Sequence, residues 1–222
     1  ETGFFTTQKM EIHGYKQGNA TENWKASAPT VRFEYWKRND SRWNFGFSLQ
    51  PVYFSYNDVI KNDLNYKGKV YHKGESAEMV YQFHNATATA NYPVLKRNKN
   101  TYLRLGSTFI FRYADISFRT SLNSFHDKNF IVFPLINYEL SIPFSEKFSF
   151  FSRADFLPSF TKKQDVFKDG LFNVLFTVRT KLTDSHSLDL GTRLFFGGYE
   201  NGQMDDYANK TFFLGFVARY SF

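Results

Sequence analysis

A chain of 222 residues is long enough for one large β domain or two small ones. Aromatic residues make up 20% of it, which is very high for a soluble domain, and Cys is absent, which excludes disulfides and thiolate metal sites. The net charge of +7 is spread along the chain with no basic run longer than two residues, so a basic arm that binds nucleic acid is disfavoured.

The apolar residues do not form a stretch that could span a membrane as a helix. The mean hydropathy is −0.47, and the longest apolar run, Phe130 to Ile136, is far shorter than the roughly 20 residues that such a helix needs. If the chain crosses a membrane, it must do so as a barrel of strands.

Strict alternation of apolar and polar residues begins near the N terminus. Period two predicts β-strands with unlike faces. We expect strands over Phe5 to Tyr15, Thr30 to Lys37 and Trp43 to Ser55, with a polar loop at Gly18 to Ser27 and a tight turn at residues 39–41.

The stretch from Asn57 to Gly74 breaks the alternation and is rich in Lys, Asn, Asp and Tyr. It predicts a long loop whose flanking strands can extend past a bilayer. From Glu75 to Phe83 the alternation resumes and predicts that Glu78 and Gln82 face inward. The residues expected to face outward in this strand are Ala77, Met79, Tyr81 and Phe83.

The alternation changes phase near His84-Asn85 and again near Tyr113-Ala114-Asp115. A one-residue change of phase needs a turn or a bulge. Without a turn, Thr101 to Phe125 would form one strand much longer than the roughly 9–11 residues that span a bilayer. Hairpins at both positions are therefore favoured and give about twelve strands, whereas two long, bulged strands would give about ten.

From Phe130 to the C terminus the parity never slips. Even-numbered apolar residues within the strands are predicted to face outward, opposite odd-numbered polar residues. Short turns at 145–147 and 183–185 alternate with longer connections at 126–129, 161–170 and 200–209. This asymmetry between the two ends is typical of membrane barrels.

The last thirteen residues, Lys210 to Phe222, place a large apolar side chain at most even positions and end on Phe222, with Tyr220 two residues before it. Such a strand resembles the final strand of Gram-negative outer-membrane proteins, in which the assembly machinery reads the terminal aromatic residue. The resemblance is to a class. It implies an all-β fold, a transmembrane antiparallel up-and-down β-barrel, in the bacterial outer membrane, with outer-membrane lipid and lipopolysaccharide as partners. We expect one domain over residues 1–222.

The predicted inner wall is rich in charged residues. Mutual salt bridges could plug the lumen, or an excess of positive charge in a water-filled lumen could concentrate anions. Small monomeric porins for acidic oligosaccharides resemble this chain in length and charge. The lumen-lining candidates are Arg32, Arg104, Arg112, Arg119, Arg153, Arg179, Lys181, Arg193, Arg219, Glu139, Asp155 and Asp189, together with Glu34, Glu78 and Asp115.

The favoured function is a narrow pore for small anionic solutes. The alternative is a closed barrel that acts through its outer loops as an adhesin or structural protein. An outer-membrane hydrolase is less favoured, because His186 and Ser187 are adjacent and would point to opposite faces of a strand. We expect no catalytic residue and no cofactor. We also expect no metal site, since the five His lack metal-ligand spacing.

A soluble β-sandwich or a lipocalin-like barrel would bury the same alternation inward. Both are disfavoured because the large aromatic residues occupy one face of each predicted strand, and the residues on the opposite face are often small or Arg. A water-facing surface is more often rich in Lys and Glu.

Overall fold

The computed structural model describes residues 2–13, 21–24, 27–38, 42–66, 69–97, 101–157, 171–200 and 208–221. The expectations for Phe222, for the tight turn at 39–41 and for the loop at 161–170 lie outside these residues, as do half of the predicted loop at 18–27 and most of the one at 200–209. In the described part of the chain, no helix is long and apolar enough to cross a membrane.

Antiparallel strands account for most of the described residues. Their bounds are β1 (Thr2–His13), β2 (Thr21–Trp24), β3 (Ser27–Val31), β4 (Phe33–Lys37), β5 (Asn44–Val59), β6 (Leu64–Tyr66), β7 (Lys69–Tyr71), β8 (Ser76–Lys96), β9 (Tyr102–Arg119), β10 (Ser124–Pro143), β11 (Phe148–Leu157), β12 (Leu171–Lys181), β13 (Ser187–Glu200) and β14 (Ala208–Ser221).

The main sheet closes on itself. From β5 it runs through β8 to β14 in chain order and then to β1. Strand β1 also pairs with β2 and β3, β3 continues across Arg32 into β4, and β4 pairs with β5. Strands β2, β3 and β4 follow one another end to end between β1 and β5, so together they take the place of one strand in the wall. With β6 and β7 in a separate small sheet, the described strands form a closed wall that is ten strands around. At the closing position, β2 and β3 pair with β1 on one side and β4 pairs with β5 on the other.

The two hairpins predicted at the phase changes do not exist. His84 pairs with Tyr113 and Asn85 pairs with Arg112, each in the middle of the continuous strands β8 and β9. The register shift in this strand pair lies elsewhere, between Pro93 and Leu95. The prediction of hairpins was therefore wrong, and the structure has the alternative count of ten strands without a bulge at either phase change.

At the phase changes the side chains keep pointing to the same sides of the wall. What changes is which side, the inside or the outside of the barrel, has the apolar residues. Along β9 the even-numbered residues point inward throughout, but Arg104 and Thr108 are replaced further up the strand by Ala114 and Phe118, all of them buried. The outward-facing residues change in the opposite sense, from apolar Phe109 to charged Arg119. Strand direction and register stay constant while both faces exchange polarity.

The exchange occurs at one level across four neighbouring strands. The last mainly apolar outward row pairs Pro51, His84, Tyr113 and Phe130, and the ring of His84 stacks on that of Tyr113. Four residues further along each strand, the outward row consists of Ser55, Val80, Ser117 and His126, of which only Val80 is apolar. The outward row above that one consists of Asn57, Glu78, Arg119 and Ser124, all of them polar or charged.

This exchange overturns the predicted facing of the strand before His84. Ala77, Met79 and Tyr81 point inward and are buried, whereas Glu78 and Gln82 point outward. The prediction assumed that the apolar face always meets lipid. Above the membrane the outside meets water, so the apolar face turns to the interior as it does in a soluble protein.

The parity predicted from Phe130 onward is confirmed. Outward Leu190 and Phe216 are 55% and 75% exposed, whereas inward Glu139 and Asp189 are fully buried. Small outward residues such as Ala154 are exceptions, because the larger side chains beside them on the barrel surface cover them.

The outward parity predicts which positions react with a label dissolved in lipid. Leu190→Cys should react with a lipid-restricted maleimide, whereas Asp189→Cys should not, because neighbouring positions on a strand point to opposite sides of the wall. Labelling in proteoliposomes, with denatured protein as the reactivity control, measures this. Equal labelling of both positions would contradict a lipid-facing outer wall.

The polarity exchange predicts where the membrane ends on β9. Arg119→Cys and Phe109→Cys both lie on the outside, but only the former should react with a membrane-impermeant maleimide on intact cells, because Phe109 lies within the apolar band. A reactive Phe109→Cys would show that the band is not embedded in lipid.

Candidate functional site

The lower half of the barrel interior holds the predicted charged residues in a connected set of ion pairs. Glu139 on β10 receives hydrogen bonds from three guanidinium groups. Arg38 Nη1 lies 2.6 Å and Arg104 Nη1 2.7 Å from Glu139 Oε1, and Arg153 Nη2 lies 3.2 Å from Oε2. Because Arg38 follows β4 while Arg104 and Arg153 lie on β9 and β11, these contacts join separate parts of the wall.

Arg153 also reaches across the interior to a second carboxylate. Its Nη1 atom lies 3.0 Å from each carboxylate oxygen of Glu34 on β4. Glu34 Oε1 is also 2.6 Å from Arg32 Nε, and Oε2 accepts a hydrogen bond from Trp36 Nε1 at 3.3 Å. One guanidinium therefore joins the Glu139 and Glu34 groups.

Asp189 on β13 forms the third carboxylate centre. Arg179 donates to both of its oxygens in a bidentate pair, at 2.8 and 3.0 Å, and Arg219 donates to Oδ2 through Nε and Nη2. Arg219 Nη1 lies 3.7 Å from Glu34 Oε2, which connects this centre to the other two. We call the resulting set the ion-pair chain; it consists of Arg38, Glu139, Arg104, Arg153, Glu34, Arg32, Arg219, Asp189 and Arg179.

Neutral side chains complete the polar layer. Asp155 Oδ1 accepts hydrogen bonds from Thr108 Oγ1 at 2.6 Å and Asn137 Nδ2 at 2.7 Å. Asn91 donates to Asn137, and Thr89 shares a hydrogen bond with Thr108. This network gives buried polar groups partners that they would otherwise lose on leaving water.

The remaining candidates occupy different environments. Arg193 is buried and donates to Asn173 Oδ1 at 3.1 Å. Arg112 is inside the barrel but above the ion-pair chain, with Nε donating to Asn85. Arg119 is exposed and has the outward parity of the upper wall, and Lys181 is half exposed near the turn at 183–185, where it pairs with Asp184 at 2.6 Å.

The solvent exposure of the ion-paired side chains shows whether they line an open channel or fill the interior. Glu139 and Asp189 have no accessible surface, and Arg153 and Arg219 are 4% and 5% exposed. Side chains that line a channel wide enough for water keep accessible surface, whereas side chains that meet at the centre do not. The ion-pair chain therefore fills the lower interior. Full pairing also meets the requirement that a buried charge has a partner.

An apolar layer lies above the ion-pair chain. Its wall residues include Phe54, Met79 and Phe118, each at most 1% exposed. Residues 60–66 and 69–75, which we call the cap, add Leu64 and Tyr71 to the same cluster, and the ring of Tyr71 packs edge-on against Phe118 at 4.6 Å. The predicted loop from Asn57 to Gly74 thus includes a hairpin, β6–β7, that covers one side of the barrel mouth.

Backbone and side-chain hydrogen bonds hold the cap. Ile60 N donates to Glu75 O and Gly74 N to Ile60 O, and the φ of +90° at Gly74 favours glycine in this turn. The Thr120 hydroxyl and the His72 amide donate to the Glu75 carboxylate and lower its pKa. Burial, with the Glu75 charge as a smaller cause, raises the pKa of Tyr71.

Sequence reasoning did not name Arg38 or the inward role of the apolar upper residues. Arg38 continues the even parity of Glu34 and Trp36, so the alternation itself carried the signal, but the residue adjoins a predicted turn. Its partner, Glu139, lies about a hundred positions away, and only the closed barrel brings the two together.

Three solved structures are similar to this chain. The transport unit of the autotransporter AIDA-I from Escherichia coli is 9% identical, with a TM-score of 0.45 over 100% of this chain and 90% of that one. Ail, the attachment invasion locus protein of Yersinia pestis, in complex with the heparin analogue sucrose octasulfate, is 9% identical, with a TM-score of 0.35 over 100% and 97%. The translocator domain of the autotransporter NalP from Neisseria meningitidis is 11% identical, with a TM-score of 0.33 over 98% and 88%. No family model and no curated protein matches the chain.

The distribution of polarity identifies the environment of the barrel. A closed antiparallel wall whose lower part has apolar residues outside and charged residues inside is the reverse of a soluble barrel. All backbone groups of such a wall pair between strands, as the hydrocarbon interior of a membrane requires. The chain is therefore built as a membrane-spanning antiparallel β-barrel.

Removing one carboxylate from the ion-pair chain should destabilise the barrel. Glu139→Gln leaves the guanidinium groups of Arg38, Arg104 and Arg153 without that charge, and breaking a buried pair in this way costs about 3–5 kcal/mol. Urea titration of protein folded in lipid vesicles, followed by tryptophan fluorescence, measures the free energy of unfolding.

Asp184→Asn is the matched control, because it also neutralises one carboxylate but breaks only an exposed pair at a turn. It should leave the urea midpoint unchanged. Equal midpoints for Glu139→Gln and the unmodified protein would show that the buried ion pairs do not hold the barrel together.

Proposed function

We propose that the protein is a closed outer-membrane barrel that does not conduct and that works through its extracellular surface, as an adhesin or a structural protein. The observation that carries the proposal is the burial of Glu139, Arg153 and Asp189 in ion pairs at the centre of the barrel. A second, apolar layer above them adds to the barrier. An ion crossing the barrel would have to displace both layers.

The extracellular part supplies a surface suited to such a role. Four long strands, β5, β8, β9 and β10, continue beyond the apolar band and turn a polar face to water. The cap stands between them with Lys61 and Asp63 exposed and Leu64 anchored in the apolar layer. An anchored, rigid cap can present a fixed set of polar groups to a partner.

The apolar band below this surface supports outer-membrane lipid as its surroundings. Large outward side chains such as Phe45, Phe130 and Phe216 are each more than half exposed. Polar groups directly above the band, among them His126 and Lys128, lie at the level expected for the phosphate and sugar groups of lipopolysaccharide. We include lipid and lipopolysaccharide as partners on this basis.

A narrow pore for small anions is the second candidate. Among the described residues, five buried arginines, Arg32, Arg104, Arg153, Arg193 and Arg219, face three buried carboxylates, Glu139, Asp155 and Asp189. This excess of positive charge favours anions over cations wherever a path opens. The burial of Glu139, Asp189, Arg153 and Arg219 within the ion-pair chain makes this the weaker candidate.

A hydrolase is not proposed. The only base that sequence analysis placed beside a serine, His186, shares a hydrogen bond between its Nδ1 atom and Tyr220 Oη at 2.7 Å, and the two rings stack.

Conductance across a planar bilayer separates the two candidates. We expect the unmodified protein to insert and to conduct no more than a protein-free bilayer. Combined replacement of Arg153, Arg193 and Arg219 by Ser removes both volume and charge from the centre and should open a measurable leak. Lys181→Ser is the control, since it also removes a positive charge but lies at the exposed rim.

The pore candidate makes the opposite forecast. The unmodified protein would then conduct with a preference for anions, the triple replacement would reduce that preference, and high salt would weaken it by screening. A conducting unmodified protein would end the closed-barrel proposal.

A further inference from the structure

Arg112 is set apart from the arginines of the ion-pair chain. It points inward from β9 at the level where the interior changes from polar to apolar. Three phenyl rings from three strands surround its guanidinium: Phe83 at 5.1 Å, Phe195 at 5.4 Å and Phe133 at 5.7 Å. Because Phe195 belongs to β13, on another side of the barrel, the guanidinium lies well inside the mouth and not against its own wall.

The charge of Arg112 lacks a carboxylate partner among the described residues. Its Nε atom donates to Asn85 Oδ1 at 2.8 Å, which fixes the plane of the guanidinium with a neutral acceptor. Cation–π contacts offset only part of the cost of removing a charge from water. In an otherwise apolar setting a guanidinium gains far more from an anion.

Arg112 is also reachable from outside. Unlike Arg104 and Arg153, it keeps accessible surface, and so do Phe83, Asn85 and Phe195 around it. Above it, the inward residues of β10 are partly exposed in an unbroken series to the end of the strand, namely Ile131, Asn129, Asp127 and Phe125. On the capped side of the mouth, Phe54, Met79 and Phe118 are closed off almost completely.

We propose that these residues form a binding recess for an amphipathic carboxylate, a small molecule with one carboxylate and an apolar chain. The free edge of the guanidinium, Nη1 and Nη2, offers the two parallel donors that a carboxylate accepts. The partly accessible rings of Phe83 and Phe195, with Ile131, cover the apolar chain. The recess adds a ligand class to the proposed function and rests on it, since the ligand enters from the extracellular side of a closed barrel.

The apolar surroundings distinguish this ligand from an inorganic anion. A chloride or acetate ion would meet the guanidinium but would leave Ile131 and the rings of Phe83 and Phe195 partly exposed to water. Each methylene of a chain that is buried against them should strengthen binding roughly fourfold. Affinity should therefore rise with chain length and depend on the charge as well.

Calorimetric titration of the protein in lipid nanodiscs tests the recess, with empty nanodiscs subtracted to remove partitioning into lipid. Decanoate should bind saturably, one per barrel. Decanamide, the neutral counterpart, and acetate, the charge without the chain, should each bind at least tenfold more weakly. Arg112→Gln should weaken decanoate binding at least tenfold.

Arg119→Gln is the matched control, because it removes the same charge from the same strand on the outer face and should leave the affinity for decanoate unchanged. Comparison of decanoate with decanamide on the unmodified protein decides the question even if Arg112→Gln does not fold. Arg112→Lys, which keeps the charge, should then retain a preference for decanoate over decanamide.

Equal binding of decanoate and decanamide, undiminished binding to Arg112→Gln, or no saturable binding at all would overturn the recess. A protein that is silent in bilayers but does not bind decanoate would lose the recess and keep the closed-barrel proposal. A protein that conducts would lose the closed-barrel proposal whatever the calorimetry shows.

Discussion

The ion-pair chain is the interaction on which the lower half of this barrel depends. A ten-strand wall encloses a space that side chains can fill, and here they fill it with charges. Two unit charges 4 Å apart attract by about 1 kcal/mol in water but about 4 kcal/mol at an effective dielectric constant of 20. Arg153, which bonds both Glu139 and Glu34, and Arg219, which approaches both Glu34 and Asp189, make the pairs one structure.

The exchange of polarity along the long strands follows from two different solvents outside one continuous wall. Lipid surrounds the lower part, so its outside is apolar and its inside holds the ion-pair chain. Water surrounds the upper part, so Phe54, Met79 and Phe118 turn inward and the cap closes over them. Arg112 lies where these two interiors meet, which explains why it is ringed by phenyl groups and yet accessible.

Sequence reasoning succeeded for the second half of the chain because those strands remain largely within one environment. From Phe130 to Tyr220 the apolar parity meets lipid almost everywhere, and period two gives the facing directly. It failed in β8 and β9, where the same parity crosses the membrane boundary. A strand that passes from lipid into water and a strand whose phase shifts by one residue show the same change in the alternation of apolar and polar residues. Hairpins at His84-Asn85 and Tyr113-Ala114-Asp115 were therefore a reasonable but wrong interpretation.

By itself, the sequence determined that the chain forms antiparallel strands with unlike faces, that it spans a membrane as a barrel and that its interior is charged. These properties depend on neighbouring residues and on period two, which are local. Only the tertiary structure decided that there are ten strands and that Arg38 meets Glu139. It alone also decided which charges pair and close the interior, and which one, Arg112, stands apart. Those outcomes depend on register and closure, because contacts across a barrel join residues that no local pattern relates.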